Sequence, residues 1–188
     1  MPALILFSQR PRAGKTAVAV GLAQRLRQDK RPAAVIRVGA TDDESAAADA
    51  RCFAALGLAA SSTSQPVSPE EAADLAKDAT GTTFLLELPA GETPRPGHSA
   101  ALLVERFANL DAARAASLGK TLGASFAGLM VTATPASRLD AITTDLAGQG
   151  IPLLAALPED RLLAAPTIGE MAAALDAETL FLDGRALQ

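Results

Sequence analysis

Ala3-Leu4-Ile5-Leu6-Phe7-Ser8 leads into Gln9-Arg10-Pro11-Arg12-Ala13-Gly14-Lys15-Thr16, and an amphipathic run follows. The first segment is a nearly unbroken apolar run, the mark of a strand buried on both faces of a parallel sheet. The second ends in Gly-Lys-Thr where a helix opens. Strand, loop and helix in that order make a phosphate-binding loop. Backbone N–H groups at a helix N-terminus point at an anion, and the helix dipole favours negative charge there. Gly14 lets the backbone approach a phosphate, Lys15 brings a mobile charge to the β- and γ-phosphates, and the Thr16 hydroxyl suits Mg²⁺. The usual pattern has glycine five residues before Gly14, where this chain has Gln9, and Pro11 removes one N–H from the loop. The donors at residues 12 to 16 are untouched. The competing reading is an ordinary strand-turn-helix that happens to spell Gly-Lys-Thr.

With 188 residues, 49% of them hydrophobic and 20% charged, the chain is expected to form one globular domain with a substantial core. No apolar run approaches a membrane span, and the N-terminus enters a strand without a charged n-region. A single cysteine, Cys52, rules out an internal disulfide framework or a Cys-rich metal site. These features point to the cytoplasm. The net charge of −4 and the absence of Trp and Tyr argue against a nucleic-acid partner.

Apolar runs alternate with helical patterns along the rest of the chain. Strands are expected at residues 33–38, 82–88, 101–104, 126–132 and 151–157. Helices are expected from Lys15 to about Gln28, after Thr41, after Ser68, from Asp111 to Leu122 and from Ser137 to Ala147. Thr41–Glu44, Ser68–Glu71 and Thr167–Glu170 each have the spacing of a capping box. This order predicts an α/β fold, a mostly parallel sheet with helices on both faces. Ligands on such sheets bind beyond the carboxyl ends of the strands. The loops after residues 8, 38, 87 and 132 therefore meet there.

Glu87 ends an apolar strand, where a carboxylate is costly unless solvated or paired; in phosphate-loop proteins an acid there holds Mg²⁺ or orients water. Asp42, Asp43, Glu44 and Asp49 form an acidic cluster after the second strand. Helix capping accounts for the first three, and Asp49, inside the helix, is the least explained of the four. Arg10 and Arg12 are phosphate clamps, cross-dimer contacts or solvated charges. Arg37 ends the second strand, either to meet a substrate anion bidentately or to form a surface ion pair. His98, the only histidine, reads as solvated, and Cys52 as a small core residue. Gly119-Lys120-Thr121 repeats the loop triplet but lies inside a helical run and is discounted.

Three pieces of the chain carry a family resemblance. They are the Gly14-Lys15-Thr16 loop with its helix, the Glu87 strand end, and the run from Gly150 through Pro158-Glu159-Asp160 and Pro166-Thr167 to Met171. Together they resemble dethiobiotin-synthetase-like phosphate-loop proteins, in the branch found at the N-terminus of some phosphotransacetylases, often before a so-called DRTGG domain. The resemblance implies a P-loop NTPase fold of the SIMIBI type over residues 1–178, with 179–188 as a tail. It also implies ATP and Mg²⁺ as cofactors and a homodimer. Carried over by position, Gln9, Arg10, Arg12, Ala13, Gly14, Lys15 and Thr16 surround the phosphates. Thr132 and Pro158 lie toward the base. Thr16, Asp49 and Glu87 hold the metal, and Lys15 and Glu87 serve the reaction; Arg37, outside the family's pattern, is read from its own place as the residue of the reaction that receives the substrate.

The chain departs from the family's pattern at several points. Arg37-Val38 stands where synthetases have Lys-Pro, Thr132 where an Asn contacts adenine, and a loop replaces the helix expected before the fourth strand. Two functional readings follow. One is an ATP-dependent ligase that activates the carboxylate of an unidentified small substrate. The other is a nucleotide-sensing module with little chemistry of its own.

Overall fold

The computed structural model describes residues 3–60, 64–78, 81–97, 99–160 and 174–176, with only the backbone described at 76–78. The chain divides into two units, Met1–Pro158 and Glu159–Gln188. The first contains every element discussed below. His98 and the Thr167–Glu170 box lie outside the described residues, as do residues 161–171 of the run from Gly150 to Met171.

Six strands form one wholly parallel sheet: β1 (Ala3–Ser8), β2 (Ala33–Arg37), β3 (Thr83–Ala90), β4 (Ala100–Arg106), β5 (Phe126–Thr134) and β6 (Leu153–Pro158), in the order β2-β3-β1-β4-β5-β6. Among the described residues the α-helices are α1 (Lys15–Gln28), α2 (Glu44–Ala55), α3 (Pro69–Asp78), α4 (Ala112–Leu122) and α5 (Leu139–Ala147). The expected α/β architecture is the one observed. Successive residues of β1 point to opposite faces. Leu6 packs with Val18 and Ala23 of α1 and Phe53 of α2. Phe7 packs with Ala115 and Leu122 of α4 and Ile142 and Leu146 of α5. Both faces of the central strand are thus covered, which is why it reads as an unbroken apolar run.

β1 lies between β3 and β4, with Leu6 paired to Glu87 on one side and Phe7 to Leu103 on the other. The phosphate-loop strand is therefore flanked by two strands that carry acids near their carboxyl ends, Glu87 and Glu105. Residues 91–97 form a loop between β3 and β4 and contain no helix, as the Pro- and Gly-rich sequence leads one to expect.

Two local expectations are corrected. Helix α2 is capped by Asp43, whose carboxylate accepts from the Ser45 and Ala46 N–H groups at 3.0 and 3.2 Å, and not by Thr41. A turn closed by Asp43 N–H on the Ala40 carbonyl takes up the chain before the helix can start. Asp43→Ala is expected to cost about 1 kcal/mol in urea unfolding and Thr41→Ala close to nothing. The Ser68–Glu71 box does form, each residue's backbone N–H bonded to the other's side chain at 2.8 and 3.2 Å. The second correction is Cys52, which is exposed. Helix α2 turns Ala46, Ala47, Ala50 and Phe53 inward, and Cys52 falls one position off that face.

Candidate functional site

Gly14 caps α1 in the left-handed region at φ 90°. A β-carbon there would be strained, and it would also sit 3.2 Å from Thr132 Cγ2 and 3.3 Å from Thr132 Oγ1. Gly14→Ala is therefore expected to destabilise the protein by about 1–3 kcal/mol. Gly21→Ala, in the same helix with nothing within 4 Å, is expected to stabilise it by about 0.5–1 kcal/mol. Urea titrations of the two variants read both values.

Lys15 opens the helix with its side chain 7% exposed, and Nζ donates to Ser8 Oγ at 2.7 Å. Burial pushes its ammonium below the usual lysine range, while Glu87 pulls in the opposite direction. The charge is thus kept close to the loop by the acids behind it.

Those acids converge on Thr16. Its hydroxyl lies 3.0 Å from Glu87 Oε1 and 3.2 Å from Asp49 Oδ1, oxygens from β3 and α2 that are far apart in the chain. Asp49 also takes Arg37 Nε at 3.2 Å, and Arg37 Nη1 donates to the carbonyls of Val38 and Glu87 at 2.6 and 3.2 Å. Arg37 is 7% exposed, so its guanidinium is occupied within the protein. Glu87 is 2% exposed, and its Oε2 is buried without a hydrogen-bond partner. Burial pushes its carboxyl up to about 7, against Arg37 and in concert with Asp49.

Among the described residues no three His, Cys, Asp or Glu come together as a metal cluster. Mg²⁺ does not require one, because one or two carboxylates suffice when phosphate and water complete the shell. Two carboxylates, one of them with an orphaned oxygen, and a hydroxyl are hard donors that fit such a cation.

A third acid completes the picture. Glu105 is 3% exposed near the end of β4, and its Oε1 accepts the Gln9 N–H at 2.6 Å. Nothing in the sequence reading singled it out, because the apolar run ends at Val104 and the strand was expected to stop there. Pairing of Glu105 with Val131 and of Arg106 with Thr132 carries β4 two residues further.

The remaining candidates spread around this core. Ala13 is buried, whereas Arg10 and Arg12 are exposed, the latter in the left-handed region at φ 58°. Gln9 Nε2 is buried with no partner. Thr132 turns its hydroxyl to the Ala13 carbonyl at 2.7 Å, engaging the loop backbone. Two residues on, Thr134 is fully buried with an unpartnered hydroxyl, next to Ala133 at φ 49° and paired across the strands with exposed Pro158. The Gly119-Lys120-Thr121 triplet lies within α4 and does not follow a strand.

The chain matches no family model. It also matches no curated protein. Among solved structures it is similar to the hydrogenase maturation factor HypB from Archaeoglobus fulgidus. The identity is 11% and the TM-score 0.53, over 94% of this chain and 89% of that one. At this identity the likeness speaks for the fold alone.

Proposed function

We propose that the loop at residues 9–16 binds a Mg²⁺–nucleoside triphosphate, with ATP as the first candidate. In this reading the chain serves as a dethiobiotin-synthetase-like ligase that activates a carboxylate by phosphoryl transfer. One observation carries the reading: the Thr16 hydroxyl is held between Glu87 and Asp49 directly beside buried Lys15.

In this reading the N–H groups of residues 13 to 16 cradle the phosphates at the start of α1. Lys15 leaves Ser8 and turns to the phosphates, where it offsets charge that develops during transfer. Thr16, Asp49 and Glu87 hold the cation. Bound Mg²⁺ would neutralise phosphate charge and lower the cost of keeping two carboxylates together. Arg37, bonded to Asp49 and two carbonyls, is a positioning residue that keeps the metal carboxylate aimed at Thr16. Toward the base end, exposed Pro158, paired with buried Thr134, is the available surface. A homodimer with the exposed Arg10 and Arg12 facing a second copy completes this reading.

The inward commitment of Arg37 favours a second reading, a nucleotide-sensing module, since Arg37 was the residue expected to receive a substrate. Calorimetric titration with ATP and GTP, with and without Mg²⁺, tests the shared part. Micromolar, Mg²⁺-dependent binding is expected, and no heat with either nucleotide would sink both readings. ADP release that depends on an added small carboxylic acid separates the ligase from the sensor.

A further inference from the structure

We propose that Glu105 is a positioning residue of the phosphate loop, its buried carboxylate gripping the strand-side half so that the helix-side amides stay aimed at the anion. This rests on the Mg²⁺–nucleotide reading above. The loop lacks the glycine that usually begins it, and Gln9 stands there instead. A glycine-rich loop takes its shape around phosphate from its own backbone freedom. This loop is held from outside, by the β4–β5 pair, at two points. Glu105 Oε1 takes the Gln9 N–H at 2.6 Å, the short distance of a charge-assisted bond. Thr132 Oγ1 donates to the Ala13 carbonyl at 2.7 Å. Between the two points stand Pro11, which has no N–H to offer, and Arg12 in the left-handed region at φ 58°.

The same carboxylate sets the register of the anion. With the Gln9 N–H taken, phosphate finds no such donor at the strand-side end. It is directed to residues 13–16, where the amides and Lys15 stand. Burial raises the Glu105 carboxyl, and the Gln9 N–H with Lys15, Arg10 and Arg114 acts to keep it ionised. A cavity of about 60 Å³ lined by Gln9, Arg10, Glu105, Asn109, Asp111 and Arg114 adjoins it.

The test compares Glu105→Met, which keeps length and loses the acceptor, with Glu105→Gln, which keeps both length and an acceptor oxygen. Amide hydrogen exchange at Gln9 is followed in nucleotide-free protein, and the Kd for Mg²⁺-ATP by calorimetry. Glu105→Met is expected to speed Gln9 exchange about 30-fold without changing Leu6, and to weaken Mg²⁺-ATP about tenfold, near 1.4 kcal/mol. Glu105→Gln is expected to stay within about threefold of the native protein on both measures, a rescue that follows from its retained acceptor. If Glu105→Met does not fold, Glu105→Asp carries the same expectations as Met, because one methylene fewer withdraws the acceptor from Gln9. Unchanged Gln9 exchange, or fast exchange with unchanged Kd, overturns the proposal. A native protein that binds no nucleotide sinks the nucleotide reading. Even then, Gln9 protection lost in Glu105→Met and kept in Glu105→Gln would establish the grip on the loop by itself.

Discussion

Lys15→Ala is expected to remove most of the thermal stabilisation that Mg²⁺-nucleotide confers. Lys15 is the buried cation nearest the helix-side amides, its Nζ 2.7 Å from Ser8 Oγ and its side chain 7% exposed. Truncating one partner of a desolvated charge pair costs about 2–5 kcal/mol, so affinity should fall on the order of 30- to several thousand-fold. A ligand at about 100 times its Kd adds about 2.7 kcal/mol to the native protein. For a chain of this size that corresponds to roughly 5–11 °C in Tm. The Lys15→Ala shift under the same conditions should be at most roughly 2–3 °C, since the ligand then stands at about three times its weakened Kd or below it. Lys120→Ala removes the lysine of the second Gly-Lys-Thr triplet, which is exposed on α4, and should leave the native shift intact. A shift that survives Lys15→Ala undiminished, or that disappears with Lys120→Ala, places the nucleotide elsewhere. Lys15→Met, which keeps the buried stem and removes the charge, separates lost binding from lost packing.

The parts of this site that were legible in the sequence are those whose signal is local. Gly14, Lys15 and Thr16 sit at a strand-to-helix junction of nearly fixed spacing, and Glu87 interrupts an apolar run at its end. Both patterns are complete within a few residues. Asp49 showed only as a helical acid that capping did not explain. Its approach to Thr16 depends on how α2 lies against the sheet, which no local pattern encodes.

Glu105 was invisible for a related reason. Its strand continues because β5 pairs with it, and its charge is tolerated because an amide 96 positions away in sequence is bonded to it. Thr132 illustrates the limit of reasoning by position. It was expected to face a base, yet its hydroxyl is taken by the Ala13 carbonyl. The strand alternation was readable there, and the competing backbone acceptor was not. The α2 cap failed at the smallest scale: Thr41 and Asp43 are both good caps, and a turn set by the chain leaving β2 decides between them. The element order, by contrast, came through because six apolar runs separated by amphipathic helices leave little room for another topology.

Glu87 carries the second large effect, on stability rather than on binding. Its carboxyl is pushed up to about 7 because it is buried, with Oε2 lacking any donor and Asp49 adding like charge. Between an ordinary carboxyl value of 4.5 and about 7 the folded state binds a proton that the unfolded state has released. Stability therefore falls as pH rises through this window. The full difference is about 3 kcal/mol, of which most is lost by pH 7.5. Burial raises the Glu105 carboxyl as well, so the clean measurement is the difference between native protein and Glu87→Gln, which has no proton to lose. In urea titrations without metal, Glu87→Gln should match the native protein near pH 4.5 and exceed it by about 2–3 kcal/mol at pH 8. Mg²⁺ should reverse the order at pH 8, because a divalent cation supplies the partner that Oε2 lacks, stabilising the native protein and leaving Glu87→Gln nearly unaffected. A pH profile parallel in the two proteins would show that Glu87 is ionised at no cost in the folded state. A Mg²⁺ effect equal in both would remove it from the metal site. Together the two outcomes separate a carboxylate strained by burial from one that is merely solvated at the end of a strand.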